Sequence, residues 1–169
     1  MAEKPMTHAE GVAKVAELVK GVRICMLTTI DVDGKLHSRP MATQETDFDG
    51  DLWFLTRDDS PKVSEIRHES EVNLAYADAK SSKFISISGV AYVLKERGKI
   101  KELWNPMYKA WFPDGEDDPR ITVIHVRAKE AEYWEASSSA LVRGMKYVLA
   151  AVTRGSVEVG ENRKVTLER

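Results

Sequence analysis

Residues 22–56 read VRICMLTTIDVDGKLHSRPMATQETDFDGDLWFLT, and this stretch decides the fold. It opens on a run of β-branched and apolar residues, Val22 to Ile30, that reaches Asp31-Val32-Asp33-Gly34. Asp-Gly tolerates the positive φ angles of a tight hairpin turn, so the chain is expected to reverse there. KLHSRPMATQE is the return strand, and Asp49-Gly50 marks a second reversal before LWFLT at 52–56. The expectation is an antiparallel meander of three strands, with the second and third paired as a hairpin.

Working toward the N-terminus, Thr7 and Glu10 have the spacing of a capping box. Val12, Val15, Leu18 and Val19 follow on one side of a helix that Gly21 closes. Working the other way, Ser60-Pro61 opens a short helix in which Val63 and Ile66 face inward, with Ser60 as its cap. EVNLAYAD (71–78) and FISISGVAYVLKE (84–96) are strands, the second with Gly89 at a bulge or bend. Segment 96–112 has helical spacing of Ile100, Leu103, Trp104 and Met107, and an acidic loop, PDGEDDP, follows it. ITVIHVRAKEAEYWEA (121–136) supplies two more strands, residues 137–155 an amphipathic helix, and 156–169 a polar tail.

Short connections between so many strands argue against a doubly wound parallel sheet, whose crossovers are long. About six or seven strands with flanking helices give an expected fold that is α+β and mainly β: a single domain over 1–169 whose antiparallel sheet closes as a barrel.

With 43% hydrophobic residues the chain has material for a core, and 25 Lys and Arg against 27 Asp and Glu leave a charge of only -2. Such a balance gives no global attraction to nucleic acid or to an anionic membrane, and neither is expected as a partner. The single cysteine, Cys25, lies between Ile24 and Met26 and reads as a small buried hydrophobe. Charges recur through the first 21 residues, unlike a signal peptide, and no stretch has the apolar length of a membrane span. A cytoplasmic setting is expected.

His8, His37, His68 and His125 have no metal-ligand spacing, and the nucleophile-elbow, phosphate-loop and dinucleotide fingerprints are absent. What remains is anion chemistry. Arg39 in the second strand, Thr56 in the third, and Ser60 and Lys62 at the helix start would converge on a monophosphate if those strands pair. Pro40 removes a ladder donor and so marks an edge, a bulge or a ligand-facing position. Trp111-Phe112-Pro113 beside the acidic loop reads as an aromatic flap, and Trp104 as core.

The ordered set Ser38-Arg39-Pro40-Met41, Trp53-Phe54-Leu55-Thr56, Ser60-Pro61-Lys62, Trp111-Phe112-Pro113 and Glu132-Tyr133-Trp134 resembles the flavin-binding split barrels related to pyridoxamine 5'-phosphate oxidase. The likeness spans roughly residues 10 to 155 and is greatest to the general-stress-protein branch. It implies a six-stranded split barrel that forms a homodimer, with FMN in a groove between subunits. Arg39 and Lys62 would bind the phosphate with Ser60, Pro40 and Met41 would run along the isoalloxazine, and Leu55 and Thr56 would line the ribityl chain, with Ser38 and Phe54 as further cofactor-binding residues. Trp111 of the second subunit would cover the site.

Departures from the oxidase also carry meaning. Its C-terminal arginine and histidine that grip pyridoxal phosphate have no counterpart here, Pro61 replaces a phosphate-binding arginine, and Phe84 stands where a glutamine touches the flavin. The resemblance therefore implies an FMN-dependent oxidoreductase of unread substrate that does not oxidise vitamin B6. A non-catalytic protein that sequesters FMN is the alternative. A third is a barrel for haem or deazaflavin, with His125 as the strand histidine for a haem.

Overall fold

The computed structural model describes residues 6–44, 47–136 and 160–168. The helix expected over 137–155 lies outside them. In chain order the elements are α1 (His8–Val19), β1 (Ile24–Ile30), β2 (Leu36–Ala42), β3 (Asp51–Arg57), α2 (Pro61–His68), β4 (Glu71–Asp78), β5 (Lys83–Leu94), α3 (Arg97–Leu103), a 3-10 turn (Pro106–Ala110), β6 (Ile121–Ala136) and β7 (Gly160–Thr166). The strands form one antiparallel seven-stranded sheet in the order β2-β1-β4-β5-β6-β3, with β7 also paired to β6.

Local chemistry explains the ends of these elements. Thr7 accepts from the Glu10 amide while the Glu10 carboxylate accepts from Thr7, and Gly21 takes φ +80 after the helix. At the β1–β2 turn, Asp31 Oδ1 accepts from the amides of Asp33 and Lys35, both at 2.9 Å, and Gly34 adopts φ +78. The β5–β6 register slips between Ser88 and Gly89. A Cβ on Gly89 would lie 2.3 Å from the Arg127 carbonyl oxygen, so only glycine lets β6 approach there.

Four expectations are corrected. β2 and β3 do not pair: β2 pairs with β1 and β3 with β6, at opposite ends of the strand order. The connection from Ala42 to Asp51 is too long for a tight hairpin, and it buries Phe48 in the main core. Segment 121–136 is one strand rather than two. Its partner register places Gly89 opposite Ala128 and Ser88 opposite Glu130, so Lys129 is an extra residue. The inward row therefore changes phase from Ile124, Val126 and Ala128 to Ala131 and Tyr133, all buried.

The polar tail contains a strand, β7, which brings the sheet to seven; Val165 and Leu167 are buried beneath α1, where Gly11 meets Val165. The helix expected over 96–112 is interrupted at Asn105-Pro106. Proline lacks the N–H and disfavours helical φ/ψ before it, and Asn105 caps the following turn by accepting from the Met107 amide.

The sheet encloses a core built from alternate residues of its strands, including Leu27, Phe54, Leu74, Ile87 and Tyr133, closed at one end by Val15 and Leu18 of α1. A second cluster lies outside the sheet. There α3 and the 3-10 turn lay Ile100, Leu103, Tyr108 and Phe112 over Leu55 and Val123. Gln44, just beyond β2, donates to the Tyr108 hydroxyl at 2.6 Å and so ties the β2 end to this layer.

Candidate functional site

The β3 strand alternates between the two cores. Phe54 points into the main core at 1% exposure, Leu55 faces the outer cluster, and Thr56 is buried at the strand end. The chain then turns through 57–60 into α2. Pro61 occupies the first helical position, where a missing N–H costs nothing. Ser60 sits at the cap position with extended backbone, but its hydroxyl makes no cap bond, contrary to expectation. It lies 3.4 Å from Thr56 Oγ1 instead. Lys62 folds back toward the same spot, and its Nζ donates to Thr56 Oγ1 at 3.1 Å.

Lys62 is half-buried, and among the described residues no carboxylate lies within ion-pair distance of it. Burial pulls its pKa down, the charge of Arg39 adds to that, and Glu65 opposes both. Two cations therefore face one region, and that region is partly dry. A lysine left without a counter-ion at such a place is unfavourable in the empty protein and favourable toward an anion.

Arg39 reaches this corner from β2. Its side chain lies on the inner side of the strand pair, with Leu27 as its cross-strand partner. Nη1 donates to Thr29 Oγ1 and, at 3.5 Å, to the Leu27 carbonyl; Nη2 donates to Glu65 Oε2 at 2.7 Å. The Thr29 hydroxyl donates in turn to the same Glu65 oxygen at 2.5 Å. Burial pushes the Glu65 carboxyl upward, but the bond from Thr29 and the charge of Arg39 outweigh it, leaving the pKa below its ordinary value.

Of the residues expected at the site, Arg39, Thr56, Ser60 and Lys62 gather at one corner. The route differs from the expected one: α2 bridges the two unpaired edge strands. Ser38 projects from the opposite face of β2 and shares a 2.7 Å hydrogen bond with Thr28. Pro40 is exposed opposite Met26 on an edge strand. Met41 and Phe54 are packed in the main core and Leu55 in the outer one, so only their backbone is free to line a groove. Trp111, 59% exposed, projects from the end of the 3-10 turn, whereas Phe112 beside it is 4% exposed and belongs to the outer core. Of the two aromatic residues expected as a flap, Trp111 is exposed and Phe112 is core.

His125 is committed elsewhere. Its ring stacks on Trp53 with centroids 4.0 Å apart and planes 7° apart, and its Nε2 lies 2.9 Å from Asp51 Oδ1. Cys25 is buried, and burial pushes its thiol up to about 11, the behaviour of a packing residue.

Glu65 and Thr29 are the site residues that were not anticipated. Each had a signal. Glu65 stands three residues after Lys62, on the helix side away from the buried Val63 and Ile66. Thr29 continues the inward row of Cys25 and Leu27 as a fully buried hydroxyl, which requires a partner.

Among the described residues no helix is long and apolar enough to cross a membrane, and no group of His, Cys, Asp and Glu could hold a metal ion.

Comparison with known proteins gives concordant findings. A family profile described as "Pyridoxamine 5'-phosphate oxidase like" matches residues 10–158. The general stress FMN/FAD binding protein of Xanthomonas citri is 30% identical, with 78% of this chain and 92% of that one covered and a TM-score of 0.66. General stress protein 26 of Bacillus anthracis str. Sterne superposes with a TM-score of 0.62 over 75% of this chain and 94% of that one at 23% identity, a likeness of fold. Protein bli-3 of Neurospora crassa is 33% identical over an alignment of 121 positions that covers 66% of this chain and 58% of that protein. The chain thus spans little more than half the length of that curated relative.

Proposed function

The chain belongs to the pyridoxamine 5'-phosphate oxidase-like family, and from that premise we propose that it binds FMN and serves as a flavin-dependent oxidoreductase. The observation that carries the reading is Lys62: a half-buried ammonium whose pKa burial and Arg39 lower, with no carboxylate in contact among the described residues. The Ser60 hydroxyl, free of the helix cap, stands beside it. Two cations and two hydroxyls form a donor set suited to a phosphate monoester dianion. The flavin/FMN-FAD binding of the Xanthomonas relative is consistent with this reading.

Arg39 and Lys62 would hold the phosphate through charge-assisted bonds, with Ser60 and Thr56 as neutral donors. Backbone of Pro40 to Met41 and of Leu55 to Thr56 would line the remainder of the groove. A bound flavin supplies the electron chemistry; the protein supplies affinity, orientation and water exclusion. Phe84, where the oxidase has a flavin-contacting glutamine, is 43% exposed beside Trp134 on the outer sheet face, which supports a substrate other than vitamin B6.

The second subunit is part of the same proposal. Ile24, Met26, Phe84 and Trp134 are each between 39% and 51% exposed on the outward rows of β1, β5 and β6. An apolar sheet face of this kind is commonly covered by a partner. A second copy of the chain would cover it and bring its own Trp111 toward the groove.

Titration of flavin-free protein tests the reading. FMN fluorescence should be quenched on binding, riboflavin should bind at least about tenfold more weakly, and Arg39→Ala should erase most of that difference. Equal affinity for the two ligands sinks the phosphate assignment, and sedimentation as a monomer sinks the groove between subunits. Anaerobic mixing with NADH or NADPH separates turnover from storage: bleaching of the bound flavin supports the oxidoreductase, and persistent colour with every reductant supports sequestration.

A further inference from the structure

Building on the phosphate reading above, we infer that Glu65 is a positioning residue that sets the fork of Arg39 toward the phosphate site by holding one guanidinium edge against Thr29. The geometry is a closed triangle. Arg39 donates through Nη2 to Glu65 Oε2 at 2.7 Å and through Nη1 to the Thr29 hydroxyl. That hydroxyl donates to the same carboxylate oxygen at 2.5 Å.

All three groups lie away from bulk water: Thr29 is fully buried, and the Arg39 and Glu65 side chains are 20% and 12% exposed. A guanidinium carries five N–H donors in a rigid plane. Fixing one edge of the plane therefore aims the others, with no rotamer search left to perform when an anion arrives.

The arrangement has an electrostatic consequence. Glu65 offsets part of the positive charge that Arg39 and Lys62 bring together, so it lowers the attraction for an anion while improving the aim. Lys62 has no carboxylate partner among the described residues and is bonded to the neutral Thr56 hydroxyl. The corner thus combines one cation oriented by a carboxylate with one held by a hydroxyl alone among the described residues. Aim and charge can be separated because the two donors to Glu65 both use Oε2. A glutamine oxygen accepts from both and keeps the triangle while losing the charge.

The experiment measures FMN and riboflavin affinities for the full chain and for Glu65→Gln, Glu65→Ala and Glu65→Asp, reading the FMN-to-riboflavin ratio. Glu65→Gln should keep the ratio or raise it. Glu65→Ala should lower it about tenfold, the value of one misdirected charge-assisted bond. Glu65→Asp retains the charge but withdraws the oxygen by one methylene, and should fall as Ala does; it also keeps the test open if Ala does not fold. Equal weakening of both ligands in Ala and Asp makes Glu65 a scaffold residue and overturns the inference. So does a Gln variant as damaged as Ala, which would mean that charge rather than direction is at stake. Wild-type protein that binds FMN no better than riboflavin overturns the phosphate reading and this inference together, whereas a wild-type preference that survives in Ala and Asp overturns this inference alone.

Discussion

Two regions of the molecule are built from the same ingredients, arginine beside carboxylate at a chain turn, and end in opposite states. In the acidic loop after Phe112, Arg120 donates to Asp118 through Nε at 2.9 Å and Nη2 at 2.7 Å, and to Asp114 at 2.8 Å. Arg97 spends its guanidinium on the carbonyl oxygens of Glu116, Asp117 and Asp118. Both cations have all the acceptors they need within the loop. At the start of α2, Arg39 is paired with Glu65, but among the described residues Lys62 has only a hydroxyl. The first network holds a loop together; the second leaves charge for something else to satisfy. Density of charged residues therefore says little about a binding site, and the unmatched remainder says much more.

The largest expected effect comes from removing that remainder. Lys62→Met should weaken FMN by about 1.5–3 kcal/mol, the range for a hydrogen bond to a charged group, with riboflavin nearly unchanged. Asp118→Asn, in the neutralised loop, should leave the FMN-to-riboflavin ratio unaltered. Titration of both variants checks the contrast. A ratio that falls with Asp118→Asn and holds with Lys62→Met would reverse the roles assigned to the two regions.

How much of this was legible before the structure differs by region and has a physical cause in each. The capping box at Thr7, the turn at Gly34 and the bulge at Gly89 were readable because each depends on local backbone chemistry. Strand pairing was less so. β2 and β3 are neighbours in sequence and strangers in the sheet, because hydrogen-bond partners are chosen by the whole barrel. β7 escaped notice since its burial depends on two side chains, Val165 and Leu167, and on the approach allowed by Gly11. At the site, Arg39, Thr56, Ser60 and Lys62 were legible as residue types. The triangle through Thr29 and Glu65 was not, since it joins three elements. Met41 and Phe54 show the converse, in that residues named by a motif put their side chains into the core.

A smaller effect should appear in the stability of the flavin-free protein, with opposite signs in the two regions. Lys62 sits partly dry with no counter-ion among the described residues, so Lys62→Met should stabilise the apo-protein by about 1 kcal/mol, a common gain when a group kept for function is removed. Asp118 is 2% exposed and accepts from the Arg120 amide and guanidinium, so Asp118→Asn should lower the melting temperature. Urea denaturation with and without FMN reads both. FMN should reverse the order of Lys62→Met and wild type, because only wild type retains the full phosphate contact.

The smallest effect is the pH dependence, and here too the regions part. Hydrogen bonds and charge from Arg120 hold the Asp118 carboxyl down to about 2, against an unfolded value of about 3.9. A carboxyl depressed in the folded state binds fewer protons there than when unfolded, so its contribution is complete above the unfolded value and disappears as pH falls toward 2. The wild type should therefore lose more stability than Asp118→Asn between about pH 4 and 2. Lys62 is depressed as well, and stability again rises with pH, but here the charged form is a penalty that deprotonation relieves. Its charged form is disfavoured in the fold, so the folded protein releases the proton first and gains stability as pH rises through the alkaline range up to the unfolded lysine value. Lys62→Met lacks that gain. Difference curves of wild type minus variant isolate each group from the other titrations, and FMN should flatten the alkaline one, since a phosphate beside Lys62 restores the charged form that burial opposes. An alkaline curve indifferent to FMN would mean that the unmatched lysine and the flavin phosphate do not meet.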